Sequence, residues 1–295
     1  MRLANESAAI VSRVLNKCCE DLTPDGAWRW RGAVQNGTRL PIAASLEEGF
    51  LHFACRPGGI RKCACSLEHA LLGNTTLAGG VKLALGKAST ELQLTTDIVI
   101  LEEKQLLDRF QWALCGFHHG LRLLKSPASH FDQAIAQTIE SGADLRELLR
   151  EIAWPMTERG PNDFSAALDA NSAPPARIRM SDCGVLLSVE LARSDTTSKT
   201  SRLALALFLL TATSALRLVR AYAEEMDGRF AFGVQVNLPA APDVEEIDHA
   251  LAALSIALRM CARETNVLLN EATARSYLAA RDLSTSNYQP SEKEN

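Results

Sequence analysis

The sequence lacks the features that mark membrane-spanning, secreted and nucleic-acid-binding proteins. Its longest apolar run, Leu203–Leu210, has eight residues, far fewer than the roughly 20 of a spanning helix. No apolar run precedes Glu6, so no secretory signal is predicted. The net charge of -4 and the absence of a basic stripe disfavour a nucleic-acid partner. We therefore expect a cytoplasmic protein with no integral membrane segment and no nucleic acid bound.

Cysteines and catalytic motifs are scarce as well. Eight cysteines among 295 residues are too few for a disulfide scaffold, so reduced thiols are predicted. The sequence contains no Gly-rich phosphate loop, no HExxH zinc motif and no GxSxG nucleophile motif. These absences predict a protein that is not an enzyme and that needs neither a cofactor nor a metal.

Two groups of residues leave a chemical role open. Cys55, Cys63 and Cys65 could form a thiolate cluster with a nearby histidine, although structural zinc sites usually use CxxC pairs. The simpler interpretation is that these cysteines are small buried apolar residues. His118 and His119 are adjacent, but neighbouring residues of a helix point in different directions. No nucleophile with its base is therefore predicted there.

The first half of the sequence predicts a helix, three strands, a helix, a hairpin and a final helix. Apolar residues recur at helical spacing over residues 6–22, and short extended runs follow over residues 27–65. The predicted elements after them are a helix beginning at Ser66 and ending at Asn74, strands at Val81–Leu85 and Leu92–Leu94 around a turn at Gly86–Thr90, and a helix from Glu102.

The second half predicts a similar order less clearly. Helical patterns occur at 130–141 and 143–153, residues 157–175 are rich in loop-forming residues, and Ile178–Met180 and Val185–Leu191 predict strands. The run Leu203–Leu210 fits either a buried strand or a helix, and residues 211–226 predict a helix. Phe230–Val236 alternates as a strand does. From about residue 243, apolar residues step by three and four as far as Leu268, which predicts one long helix.

The resulting prediction is an α+β protein with two domains in tandem. The predicted boundaries are residues 1–126 for the first domain, 127–283 for the second and 284–295 for a disordered tail. Because both halves share an order of elements, an ancient duplication is a possible origin.

Part of the sequence resembles the class I type III secretion chaperones. The resemblance rests on Leu67–Asn74 (LEHALLGN), on Gly79–Leu85 (GGVKLAL) and on Glu91–Leu94 before the helix from Glu102. Phe232–Pro239, before the long helix, is similar in outline to the run that precedes the last helix of that family. Members of the family are about half this length and form homodimers, so the resemblance implies either a homodimer or a single-chain pseudo-dimer.

The resemblance also implies a function. Such chaperones hold a segment of a secreted effector in extended form, through strand pairing and apolar pockets. The protein partner would be a secreted effector or, alternatively, another component of the secretion apparatus in a sorting, structural or regulatory role. The candidate partner-binding residues are the apolar side chains of the first predicted sheet. They are Trp28, Trp30, Leu40, Ile42, Phe50 and Phe53. An ordinary place in the core is the alternative for each of them.

Overall fold

The structure is a computed structural model, and it describes the chain in eleven stretches. These are residues 2–36, 38–55, 64–85, 92–100, 102–125, 145–169, 174–181, 184–194, 198–227, 229–281 and 283. The predicted boundary at 126–127, the helical pattern at 130–141, the Gly86–Thr90 turn and the 284–295 tail lie outside these residues.

The elements up to residue 125 build the first sheet, and we call them the N-terminal half. In chain order they are α1 (Arg2–Cys18), β1 (Glu20–Pro24), β2 (Arg29–Asn36), β3 (Thr38–Glu47), β4 (Phe50–Cys55), α2 (Ala64–Gly73), β5 (Lys82–Leu85), β6 (Leu92–Val99) and α3 (Glu103–Lys125). The strands form one antiparallel sheet in the order β1-β2-β3-β4-β6-β5.

The elements from residue 145 onward build the second sheet, and we call them the C-terminal half. They are α4 (Leu145–Arg150), β7 (Met156–Gly160), β8 (Asp163–Ala166), β9 (Ala176–Ser181), β10 (Gly184–Ser194), α5 (Lys199–Ser214), β11 (Arg220–Met226), β12 (Arg229–Leu238), α6 (Val244–Leu268) and α7 (Glu271–Ala279). This sheet is also antiparallel, in the order β11-β12-β10-β9-β8-β7.

The two halves share one topology, and the predicted α+β class is confirmed. In each half a four-stranded meander leads into a helix, and a hairpin follows whose second strand pairs with the fourth meander strand. A further helix closes each half, and α7 has no counterpart in the N-terminal half among the described residues. The buried apolar side chains of both halves form one continuous core.

The run Leu203–Leu210 is helical and forms the middle of α5. Ser198 caps this helix, since its side chain accepts a hydrogen bond from the Ser201 N–H. Seven of the eight side chains in the run are buried, because α5 packs among α2, α6, α7, β5 and β11. A helix that is apolar on all sides has no amphipathic stripe, which is why the sequence pattern left its conformation open.

Several predicted elements differ from the structure. The helix predicted for 6–22 ends at Cys18, and a short strand, β1, follows it. The helix predicted for 211–226 is wrong, because α5 ends at Ser214 and β11 begins at Arg220. The loop-rich stretch 157–175 contains most of strand β7 and all of strand β8. The long C-terminal helix is confirmed as α6. No helix of the described stretches combines the length and apolar character needed to cross a bilayer.

Candidate functional site

The two halves pack against each other through equivalent elements. Helix α2 contacts α5, and the hairpin edge strands β5 and β11 contact each other. The cross-contacts are reciprocal as well, since α2 packs on β11 while α5 packs on β5. This pattern is that of an isologous interface, in which the same surface is used on both sides of an approximate two-fold axis.

Two buried cations occupy equivalent positions in this interface. Lys82 is the first residue of β5 and Arg220 the first residue of β11, and both are at most 2% exposed. Nζ of Lys82 donates to the carbonyl oxygens of Thr213 and Leu216, at the C-terminal end of α5. A helix C-terminus favours a positive charge, so this placement helps to offset the desolvation of the ammonium group.

Arg220 makes the matching contact in the opposite direction. Its NH1 group donates to the carbonyl oxygens of Leu77 and Val81, which follow α2 in the N-terminal half. Gln235, the residue opposite Arg220 in the sheet, donates to the carbonyl oxygen of Asn74 over 3.0 Å. Buried hydrogen bonds donated by Lys82 from one half and by Arg220 from the other therefore cross the interface in both directions.

Asn74 closes the edge of the first sheet. Its Nδ2 donates to the carbonyl oxygen of Leu83 on β5, and its Oδ1 accepts from the Leu83 N–H over 2.7 Å. The asparagine side chain thus takes the place of a neighbouring strand, at a position where an exposed edge would invite pairing with another chain. The final residue of the LEHALLGN motif is therefore a buried part of the interface.

Asp97 on β6 is the centre of a buried charged cluster. Its Oδ1 lies 2.8 Å from Nδ1 of His52, on the neighbouring strand of the same sheet. Its Oδ2 lies 3.6 Å from Nζ of Lys82 and accepts a 3.1 Å hydrogen bond from the Leu218 N–H of the C-terminal half. NH1 of Arg217 lies 3.6 Å from Oδ1. Asp97 thereby accepts two hydrogen bonds and lies beside two cations, and Leu218 and Arg217 connect it to the C-terminal half.

The charges of this cluster stabilise one another against their burial. Burial alone would raise the pKa of Asp97, but the Lys82 ammonium and the hydrogen bonds from His52 and Leu218 outweigh it. They hold the pKa of Asp97 well below its usual range. Burial lowers the pKa of Lys82, and the Asp97 carboxylate partly offsets that effect. Because Asp97 is ionised, Nδ1 of His52 is the donor in their hydrogen bond.

A pocket of about 680 Å³ lies beside this cluster, between the first sheet, the C-terminal end of α5 and the N-terminal half of α6. We call it the inter-half pocket. It is within the size range of small-ligand and peptide side-chain pockets. Its polar lining includes His52, Gln93, Thr95, Asp97 and Arg217, and its apolar lining includes Phe50, Leu85, Ala252, Ala253 and Ile256.

The charges that are accessible at the mouth of the pocket are mainly negative. Glu48 is 86% exposed and Glu47 is 49% exposed, whereas Arg217 is 25% exposed. Arg217 donates to Glu47 over 3.1 Å and lies over the ring of Phe50, 5.4 Å from its centre. The hydrogen bond from Arg217, despite some opposing burial, lowers the pKa of Glu47. The mouth is therefore anionic near neutral pH.

Two polar atoms at the pocket have no hydrogen-bond partner among the described residues. They are Oγ1 of Thr95, on β6, and Nδ1 of His249, on α6. The Thr95 side chain belongs to a residue that is only 7% exposed, so water cannot easily satisfy its hydroxyl group. An unsatisfied buried polar group costs about 1–3 kcal/mol.

The six candidate residues of the first sheet lie in three different environments. Trp28 is 43% exposed and precedes β2 in a backbone conformation with φ 58. Trp30 is half-buried against the core, and Phe50 is half-buried at the inter-half pocket. Leu40, Ile42 and Phe53 are at most 5% exposed, and Phe53 packs on Phe110 of α3. These last three offer almost no side-chain surface to a partner.

The cysteines and the paired histidines form no chemical site in the part of the chain described. Cys55 is buried, and burial raises the pKa of its thiol to about 11. Cys63 lies outside the described residues, as does the side chain of Cys65. His118 and His119 are half-buried on α3, and burial lowers the pKa of both. Within the described stretches, no three His, Cys, Asp or Glu side chains are grouped as metal ligands.

Sequence reasoning missed the Asp97 cluster and the pocket. The available signal was the presence of Lys82 and Asp97 in strands whose other residues are mostly apolar or uncharged. Compared with known proteins, the chain matches no family model and no curated sequence.

Proposed function

We propose that this protein is a non-enzymatic binding protein of a bacterial type III secretion system, which holds a segment of a secreted protein in extended form. The observation that carries the proposal is the shared topology of the two halves, each with a meander, a helix, a hairpin and a last helix. Apart from a fourth meander strand, this is the order of elements that the class I secretion chaperones possess. The motif LEHALLGN occupies α2 and the residue that follows it.

The packing of the halves gives further support. Chaperones of that class are homodimers of chains about half this length, and here the halves meet through equivalent helices and edge strands. Such an arrangement is what fusion of two subunits across a two-fold axis would produce. Under this proposal the two halves of one chain correspond to the two subunits of a homodimer.

A binding role also agrees with how the charged residues are used. His52 and Asp97 would be the natural candidates for acid–base chemistry, since a carboxylate orients a histidine in many enzymes. Here Asp97 also accepts the Leu218 N–H and faces Lys82 and Arg217, so it connects the two halves. We therefore assign the pair to the interface and not to a reaction.

The test is affinity purification of the tagged full-length chain from its own bacterium, with and without an intact secretion apparatus. We expect a secreted protein to co-purify in both strains, and its N-terminal segment alone to bind the purified chain. Hydrogen exchange should then show that the bound segment is protected while it remains extended. Failure to recover any secreted protein would refute the proposal.

A second candidate function is a sorting, structural or regulatory component of the apparatus. It is favoured by a difference between the two halves. Lys82 pairs with Thr95 and Arg220 pairs with Gln235, so these two pairs are equivalent. Two residues further along the second strand of each hairpin, the N-terminal half has Asp97 and the C-terminal half has Asn237. The halves thus differ at equivalent buried positions, and an asymmetric protein suits a fixed place in an assembly. Recovery of apparatus proteins in the intact strain, together with loss of all partners in the other strain, would support this candidate.

A further inference from the structure

The inter-half pocket continues into an exposed apolar stripe on α6. Helix α6 buries one stripe against β10 and β12, but Ile256, Met260 and Val267 on another face are 47–49% exposed. Ile256 also lines the pocket together with Ala252 and Ala253. Large apolar side chains grouped at the mouth of a cavity are typical of binding surfaces and not of ordinary solvated helix faces.

The pocket also presents polar groups in a row. Gln93, Thr95 and Asp97 alternate along β6, so their side chains share the face of the sheet that borders the pocket. Asp97 accepts two hydrogen bonds and faces two cations, whereas Oγ1 of Thr95 has no partner among the described residues. The β6 side of the pocket is therefore polar, whereas Ala252, Ala253 and Ile256 supply an apolar lining from α6.

The mouth of the pocket selects the charge of its occupant. Glu47 and Glu48 are the most exposed charged groups there. Arg217 lies between Glu47 and Asp97 and is 3.8 Å from Glu48, so the three carboxylates outnumber this one cation. A positive side chain that follows an apolar one would reach these carboxylates while the apolar group enters the cavity. A negative side chain at the same place would be repelled.

We propose that the inter-half pocket binds an extended segment of the partner protein in which apolar residues alternate with lysine or arginine. An apolar side chain enters between Phe50 and Ile256, and the neighbouring cation pairs with Glu48. This inference rests on the proposed function, because it assumes that the natural occupant is an extended protein segment. Beyond that function, it specifies the binding site of the segment and the composition of the segment.

The probes are three short fluorescent peptides, in which leucine alternates with lysine, leucine with glutamate, or serine with lysine. Fluorescence anisotropy measures their binding to the full-length chain. We expect the leucine–lysine peptide to bind at least about tenfold more tightly than either of the others, because only it supplies both the apolar group and the correct charge. Equal affinities for the lysine and glutamate peptides, or no binding of any of them, would overturn the proposal.

Two variants locate the site, each with a matched control. Ala253→Trp places a large ring in the pocket, and Ala272→Trp makes the same change at an exposed position of α7 outside it. Glu48→Lys reverses a charge at the mouth, and Glu6→Lys does so at an exposed position of α1 outside the pocket. We expect the leucine–lysine affinity to fall at least about tenfold with Ala253→Trp and roughly three- to tenfold with Glu48→Lys, and to stay unchanged in both controls.

The Glu48→Lys variant keeps the test decisive if Ala253→Trp disturbs folding, because Glu48 is largely exposed. If neither Ala253→Trp nor Glu48→Lys differs from its control, the peptide binds elsewhere and the inference is wrong. If a secreted protein is recovered but binds the Ala253→Trp chain normally, this inference fails while the proposed function stands. If the peptides bind as expected but no secreted protein is recovered, the proposed function fails and the pocket remains a binding site.

Discussion

Removal of the Asp97 carboxylate should destabilise the protein strongly, because this side chain accepts two hydrogen bonds and faces two cations in the interface. In Asp97→Ala the Leu218 N–H loses its acceptor and the buried Lys82 ammonium loses its only nearby carboxylate in the described part of the chain. Breaking a buried ion pair by removing one partner costs about 3–5 kcal/mol. We expect a loss of unfolding free energy in that range. It should not exceed the range, because Lys82 keeps its two carbonyl acceptors on the C-terminal half.

The measurement is the free energy of unfolding from urea titrations followed by circular dichroism. Asp97→Asn keeps an oxygen acceptor for Leu218 but removes the charge, so we expect a smaller loss of about 1–3 kcal/mol. Asp25→Ala is the control, because Asp25 forms an exposed ion pair with Arg31 and its loss should change stability by no more than about 0.5 kcal/mol. A loss below about 1 kcal/mol for Asp97→Ala would refute the reasoning.

Three further predictions concern packing, capping and pH. Gly116→Ala should lower the unfolding free energy by about 2–3 kcal/mol, because the new Cβ would lie 2.2 Å from the Ala78 carbonyl oxygen, and thermal melting would measure this. Ser198→Ala should cost about 1 kcal/mol in the same assay, since it removes the cap that accepts the Ser201 N–H. The depressed pKa of Asp97 adds stability above the unfolded-state pKa of about 3.9, and this is lost as the pH falls toward the folded-state pKa. Between pH 6 and pH 3, the wild type should therefore lose more unfolding free energy than Asp97→Asn; equal losses would contradict this assignment.

Elements with one buried and one solvated side were predicted well from the sequence. The stripe of α6 from Val244 to Leu268 emerged at the right place because this helix lies on the second sheet with its other side exposed. Strand β12 was recognised from the alternation of its aromatic and valine residues, although most of its side chains are buried. In such elements, the spacing of the apolar residues alone shows which side chains are buried.

The elements of the interface were harder to predict, because both of their sides are covered. The first four residues of β11 are all buried, and Leu216, Val219 and Tyr222 happen to recur at helical spacing, so a helix was predicted there. Likewise the alternation of β5 predicts an exposed side chain for Lys82, whereas this side chain is buried against the C-terminal half. Only the packing of the two halves determines these environments, and residues distant in the sequence supply that packing.

The paired positions Asp97 and Asn237 show what a single chain can do that two identical subunits cannot. In a homodimer, one gene encodes both sides of the two-fold axis, so an aspartate introduced on one side also appears on the other. Here the two positions mutate separately, and an acid can persist beside Lys82 while an amide occupies the corresponding position on the opposite side. Each side of the interface is therefore free to acquire its own partner while the other preserves the contact between the halves.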